Sequence, residues 1–332
     1  MVNVITDDKV SIDILKGKKI AVIGYGAQGR AQSLCMKDSG LKVIVGVREG
    51  GASWKLARED GMDVSTISEA AHEGDIIHIL IPDENQRAVY DASIKAQITP
   101  GKVLSWSHGF NVVYKQIVPP RGVDVIMIAP KSPGTEERLQ YLEGFGVPAL
   151  VAVHTDASGS ARDTALAMAK ACGFTRAGVL ECTFEDETYE DIFGEQAVLC
   201  GGIVELIKAG FEVLVESGYP PEMAYFECLH EMKLIVDLIQ KGGLSLMWDV
   251  VSNTAEYGGR TRGSEIITDE TRKAMKHILK NVENGTFARE WVAENKKGLS
   301  TLAKMREEEA HHPIEVVGRE IRALFKNPSP ER

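Results

Sequence analysis

The chain has 332 residues, 44% hydrophobic and 26% charged, with a formal charge of −10; this is an ordinary globular composition, long enough for about two domains. The acidic balance and the lack of any dense Lys/Arg run exclude a surface built to gather phosphate backbones, so nucleic acid is not an expected partner. MVNVITDDKV lacks the parts of a secretory signal and no apolar stretch approaches the ~20 residues that span a bilayer, so a cytoplasmic protein without membrane contact is expected.

From Lys18 to about Val153, short runs rich in Val and Ile alternate with helix-like segments: KKIAVI, LKVIVGV, DIIHILI, GKVLSW, VDVIMIA and PALVAV. That rhythm predicts a doubly wound parallel sheet wrapped by helices, an α/β Rossmann-type domain over residues 1–181. Gly24, Pro82, Gly109 and Pro130 fall near the C-terminal ends of these strands, the edge where open α/β sheets bind ligands.

KKIAVI runs directly into GYGAQG (Gly24, Tyr25, Gly26, Ala27, Gln28, Gly29), which opens the helix-like AQGRAQSLCMKD. In that context the first Gly permits the tight turn, the second lets the backbone approach a pyrophosphate, and the third allows close helix-to-strand packing. A nicotinamide dinucleotide is the expected ligand. LKVIVGV is followed by Arg48, where an NAD-specific site commonly places an acid for the ribose 2′-OH; Arg48 suits a 2′-phosphate better, Ser53 adds a hydroxyl, and Glu49 opposes it if turned inward. As a loop cation, Arg48 is otherwise simply solvated.

His78 lies inside DIIHILI and reads as core. His108, in SHGFN, emerges at the ligand edge beside Gly109, which leaves room for a cofactor ring; its bland alternative is a satisfied structural histidine. Lys131 leaves the next strand end, either near a substrate carboxylate or keto oxygen or as an exposed loop lysine. The five cysteines contain no Cys-x-x-Cys pair, so neither a disulfide framework nor a thiolate zinc site is suggested, and they read as small, mostly buried residues.

Beyond about Glu181 apolar residues recur at helical spacing, as in EQAVLCGGIVELIKAGFEVLVESG and PEMAYFECLHEMKLIVDLIQKG, so residues 182–328 are expected to form an all-α domain. Gly218-Tyr-Pro-Pro221 separates those stretches and Gly242-Gly243 closes the second. Asp191 and Glu195, then Glu227 and Glu231, form two i,i+4 acidic pairs, each projecting from one helix face about 5–6 Å apart. Such pairs are often solvated faces. Beside Phe193, Gly194, Phe226 and Cys228, however, they suggest burial, and buried together they stay protonated unless a cation neutralises them; oxygen-only donors specify a hard one, Mg²⁺ first with Mn²⁺ as substitute. The flanking Glu185, Asp186, Glu187 and Glu190 are less discriminating and mostly face water. Among these carboxylates His230 serves a supporting or a packing role, and Ser252, before AEYGG, is a helix cap or a substrate contact.

GYGAQG, IPDENQ, SHGFN, APKSPGT, EDIFGEQAVLCGG, ECLHE and SNTAEYGG occur in order up to about residue 260, and together they resemble the ketol-acid reductoisomerase family in its short form. The resemblance implies alkyl migration in an acetohydroxy acid, 2-acetolactate or 2-aceto-2-hydroxybutyrate, followed by NAD(P)H reduction to the 2,3-dihydroxy acid of valine and isoleucine synthesis. It implies that two Mg²⁺ are held by Asp191 and Glu195 with Glu227 and Glu231, that Glu231 and Ser252 touch substrate, and that His108, Lys131 and Glu231 serve catalysis. It adds Asp83, Glu84, Asn85, Gln86 and Gly134 to Tyr25–Gln28, Arg48 and Ser53 around the cofactor. It also implies a knotted helical domain and a homodimer, or a higher homo-oligomer, in which Glu227, Glu231 and Ser252 come from the partner subunit. One departure concerns Gly51, where NADP-using relatives often carry Ser: losing that hydroxyl predicts use of NADH as well, with NADPH preferred. The competing readings are a metal-free hydroxyacid dehydrogenase, indifferent to chelators, and a dinucleotide-sensing scaffold.

Overall fold

The computed structural model describes residues 3–324. It divides into two compact units, Met1–Glu190 and Asp191–Arg332.

In the first unit β1 (Lys19–Ile23), α1 (Ala27–Asp38), β2 (Lys42–Gly46), α2 (Ala52–Glu59), β3 (Asp63–Ser65), α3 (Ile67–Glu73), β4 (Ile76–Ile79), α4 (Asp83–Val89), β5 (Val103–Trp106), α5 (Phe110–Val113) and β6 (Asp124–Pro130) alternate as expected. After α6 (Gly134–Leu142) come β7 (Ala149–Thr155), α7 (Ala161–Ala171), α8 (Phe174–Ala177) and β8 (Val179–Cys182). The sheet order is β3-β2-β1-β4-β5-β6-β7-β8, so the strand order reverses direction between β1 and β4, where such sheets open a ligand crevice. β7 departs from the expected parallel sheet, since it runs antiparallel to β6 from Pro130↔Ala149 onward. A run such as PALVAV is apolar whichever way it points, because both faces of a central strand are buried. β3 and β8 were not anticipated either: three and four residues give too little pattern to read.

Alternate residues of the strands feed two cores. Ile20, Val22, Ile76 and Ile126 pack on one face with the small side chains of α7, while Ala21, Ile23, Ile77, Leu104 and Met127 pack on the other against Ala70 and Ala71 of α3. At about 25 cal/mol per Å² of buried apolar surface, two such faces supply most of this unit's stability and hold the strand ends rigid. α3 starts at a reciprocal cap, Thr66 Oγ1 accepting from Glu69 N–H and the Glu69 carboxylate accepting from Thr66 N–H. His78 is core, as its strand position predicts, and burial pushes its pKa down to about 3. Cys35 and Cys172 are buried, whereas Cys200 is exposed and Cys182 and Cys228 lie between.

α9 (Phe184–Gly194) leads into the helical unit, which continues with α10 (Gly201–Glu216), α11 (Pro221–Tyr225), α12 (Met232–Val250), α13 (Asn253–Ile266), α14 (Asp269–Glu283), α15 (Thr286–Lys296), α16 (Ser300–Ala310) and α17 (Pro313–Leu324). Phe211, Ala224, Tyr225, Ile314 and Ile321 form its small core. Gly242 and Gly243 leave helical geometry, with φ of 76° at Gly243, and kink α12 where the glycine pair was expected to end a helix. Two π-turns interrupt the helices, Glu195–Leu199 and Phe226–His230. The i→i+5 bonds from Cys200 N–H to Glu195 O and from Glu231 N–H to Phe226 O mark them. Added side-chain carbons at Gly201 and Gly202 would strike the Gln196 and Ala197 carbonyl oxygens, so the first turn needs its following glycine pair.

Candidate active site

The three glycines of the turn divide the work as their spacing predicts. Gly24 has φ of 107°, and an added Cβ would lie 2.6 Å from Leu80 O; Gly26 faces open space; at Gly29 a Cβ would strike the Gly24 carbonyl. The turn is therefore tight, open to a ligand at its centre and closely packed at its end. Gly29→Ala should weaken dinucleotide binding at least tenfold and cost about 1–3 kcal/mol of stability, because the overlap is with backbone that cannot swing aside; unchanged Kd and melting temperature would sink that reading.

A cleft of about 530 Å³ opens beside the turn, lined by Gly24–Gly26, Arg48, Gly51, Ser53, Pro82 and Asn85 among others. The residues expected at the cofactor's 2′ end thus share one wall, and Glu49 is not part of it. Other expected contacts take different roles. The Tyr25 ring packs with Val45, Val47, Ala57 and Met62, and its hydroxyl donates to Asp60 Oδ2 at 2.9 Å, so the hydroxyl is committed to the protein rather than to a ligand. Gln28 Nε2 donates to Ser132 O at 3.1 Å. Gly134 is pressed against the backbone of Ala27 and Gln28, with no room for a side chain. Gln86 points inward: its amide donates to Ile81 O and Asp83 Oδ1 and accepts from Trp106 Nε1–H at 3.0 Å. It braces the start of α4 and Asp83, whose carboxyl is held above its ordinary pKa, chiefly by burial.

At the ends of β5 and β6 the structure joins His108 and Lys131 through a residue the sequence reading left among the solvated acids. Glu187 is 1% exposed. Its Oε1 accepts from Lys131 Nζ at 2.9 Å and its Oε2 lies 3.1 Å from His108 Nδ1 and 3.3 Å from Gly109 N. Burial alone would raise its pKa, but the hydrogen bond from His108, the charges of His108 and Lys131 and the Lys131 hydrogen bond together hold it below the usual value. An ionised carboxylate therefore fixes both the Lys131 ammonium and the His108 ring at the ligand edge. Gly109 owes its small size to this packing, because a Cβ there would strike Thr188 Oγ1 of α9; it does not leave room for a cofactor ring. The available signal was the four-residue spacing of Glu187, Asp191 and Glu195, which continues one acidic stripe back to Glu187.

The remaining expected ligands all lie in the helical unit. Asp191 follows Glu187 by one turn of α9 and is half-buried, whereas Glu195, Glu227, Glu231 and Ser252 are exposed. Glu195 opens one π-turn and Glu227 lies within the other, so Glu227 and Glu231 span a wider turn than the α-helical pairing predicted. π-turns inside helices cost regular bonding and are frequent at functional sites. Among the described residues of the helical unit, no three potential ligands come within 4.8 Å of one another. The burial expected of these pairs is not seen at Glu195, Glu227 or Glu231. Ser252 Oγ accepts from Ala255 N–H at 3.2 Å, which makes it the cap of α13; His230 stacks edge-on against Phe226 at 5.4 Å.

Residues 14–178 match the family model for the acetohydroxy acid isomeroreductase NADPH-binding domain, and residues 184–327 match that for the ketol-acid reductoisomerase C-terminal domain. The chain belongs to the ketol-acid reductoisomerase family. It is 60% identical over 327 residues to the ketol-acid reductoisomerase (NAD(+)) of uncultured archaeon GZfos26G2, covering 97% of this chain and 98% of that one. With the NADP(+) enzyme of Methanothermobacter thermautotrophicus it shares 57% over 318 residues, 96% and 97% of the two chains. A solved NADH-preferring ketol-acid reductoisomerase from an uncultured archean superposes with a TM-score of 0.95 at 58% identity, covering 98% of this chain and all of that one. The chain is thus an NAD(P)-dependent oxidoreductase of this family, and the hydroxyacid dehydrogenase and scaffold readings fall away.

Proposed function

We propose that the enzyme isomerises an acetohydroxy acid, 2-acetolactate or 2-aceto-2-hydroxybutyrate, in a Mg²⁺-dependent step and then reduces the product with NAD(P)H. The observation that carries this reading is the pairing of the dinucleotide cleft with the Lys131–Glu187–His108 cluster at neighbouring strand ends of one sheet.

Asp191, Glu195, Glu227 and Glu231 offer only carboxylate oxygens, the donor set a hard divalent cation takes, and they would hold two Mg²⁺. When bound, such cations stabilise the negative charge that builds on substrate oxygen as the alkyl group migrates. The chain's own residues do the rest. Glu187 keeps the Lys131 ammonium and the His108 ring in fixed directions, so donors face the oxygen that gains charge during reduction and need no reorganisation as it forms. Glu187 holds the His108 ring through Nδ1, and an imidazole so fixed can exchange a proton near neutral pH. The GYGAQG turn holds the pyrophosphate and so sets how far the nicotinamide reaches.

Glu227, Glu231 and Ser252 are read as partner-subunit contributions in a homodimer with shared active sites. Two features support this: the helical unit does not gather the four carboxylates, and it leaves Leu199, Val213, Leu234, Leu244 and Ile266 exposed, apolar surface that a second copy would cover. Relatives named for either cofactor flank the chain at similar identity, so the choice rests on the cleft. Arg48 and Ser53 favour NADPH, and Gly51 removes one hydroxyl, so both cofactors should work with NADPH the better.

Turnover of 2-acetolactate with each cofactor, with and without Mg²⁺, tests the reading. We expect turnover with both, dependence on Mg²⁺ and higher kcat/KM for NADPH. Activity that survives a chelator would refute the metal role; a higher kcat/KM for NADH would refute only the cofactor preference.

A further inference from the structure

A buried acid without a compensating charge lies outside the cluster above. Glu137, on α6, is 2% exposed, and its carboxyl oxygens make no hydrogen bond of full geometry, although the Gln28 and Gln32 amides lie near enough to act on them. It faces the start of α1, where Gly134 of its own helix is packed against Ala27 and Gln28. The groups acting on it are the amides of Gln28 and Gln32, which offset only part of the cost of burial; its pKa is pushed up to about 8. Among the described residues no cation compensates it. Arg138, the next residue on α6, is engaged with Asp38 at 2.6 Å, and Cys35 of α1 and Cys172 at the end of α7 present thiols that burial keeps neutral.

The polar neighbours of Glu137 form one chain. His78 Nδ1 lies 2.9 Å from Ser105 Oγ and Nε2 lies 2.8 Å from Gln32 Oε1; Gln32 Nε2 donates to Gln28 Oε1 at 3.0 Å and to Ser107 Oγ at 3.1 Å; Gln28 Nε2 donates to Ser132 O. His78 stays neutral in its burial and supplies no charge to this chain. Gln28 is the fifth residue of the dinucleotide turn, and its amide ties that turn to the segment preceding α6. A neutral acid leaves these amides to their own partners, whereas a carboxylate in so apolar a medium would draw on the Gln28 and Gln32 amides and compete with Ser132 O for the Gln28 N–H.

We propose that Glu137 is a positioning residue for the dinucleotide turn: uncharged, it lets Gln28 hold the turn in its binding geometry, and on ionisation it disturbs that brace and weakens nicotinamide dinucleotide binding. The proposal rests on the reading of GYGAQG as the cofactor seat.

The test is the Kd of the full-length protein for NADH and NADPH, followed by nicotinamide fluorescence between about pH 6.5 and 9.5, for wild type and Glu137→Gln. Wild type should bind evenly up to about pH 8 and then weaken by up to about tenfold per pH unit, the limit for release of one proton. Glu137→Gln, isosteric and uncharged, should bind evenly throughout. A flat wild-type profile, or the same alkaline weakening in the variant, overturns the proposal. If the variant does not fold, infrared spectra of wild type decide: a protonated carboxyl band at neutral pH that disappears in step with the loss of binding supports it, and its absence at neutral pH overturns it. No dinucleotide binding at any pH would instead overturn the cofactor seat itself.

Discussion

Replacing Glu187 with glutamine should lower kcat by about a hundredfold or more while leaving dinucleotide Kd nearly unchanged. The amide keeps the size of the side chain but removes the charge that holds Lys131 and His108, so both lose their fixed directions. Removing one partner of a buried ionic cluster also leaves the others uncompensated. The cost should be about 3 kcal/mol, at the lower end of such effects, because the Lys131 and His108 side chains keep 33% and 21% of their exposure and so some contact with water. The pH dependence has a definite sign. The folded-state pKa of Glu187 lies below its ordinary value, so its stabilisation is complete at neutral pH and is lost only as pH falls through that depressed value. Melting temperatures of wild type and Glu187→Gln should therefore differ at pH 7 and converge in acid. Equal kcat and parallel melting curves would refute the role given to Glu187.

Asp191→Asn should abolish turnover of 2-acetolactate, by on the order of 10³-fold or more, with dinucleotide binding retained. An amide oxygen carries no charge and binds a hard cation poorly. Glu227→Gln should be equally inactive by itself. If active sites are shared between subunits, co-expressing the two inactive chains restores part of the activity, because one site of each mixed dimer receives its own chain's Asp191 and the other chain's Glu227. No recovery in verified mixed dimers would place all four carboxylates in one subunit's site.

Much of this is legible in the sequence. GYGAQG between a strand and a helix encodes its own geometry, since each glycine answers to a local steric demand: positive φ at Gly24, open backbone at Gly26, contact with the Gly24 carbonyl at Gly29. The alternating apolar runs encode a layered sheet, because a strand covered on both faces needs apolar residues throughout. The ligand edge follows from where the strands end, and with it the placement of His108 and Lys131.

What only the tertiary structure decided depends on which distant segments meet. The reversal of β7 is invisible in PALVAV, whose composition suits either direction. Glu187 reads as one acid among several until α9 packs on the SHGFN turn and buries it between Lys131 and His108; Gly109 owes its size to the same packing. Glu137 looks like a first-turn surface acid until α6 lies against α1. The π-turns at Glu195 and at Phe226–His230 also depend on packing, since i→i+5 bonding is chosen by what the turn must accommodate rather than by propensity. Local sequence thus determined the strands, the dinucleotide turn and the candidate chemistry. Long-range packing decided which carboxylates are charged, which are neutral and which are left at the surface, because ionisation depends on burial and neighbouring charge that residues far apart in the chain supply.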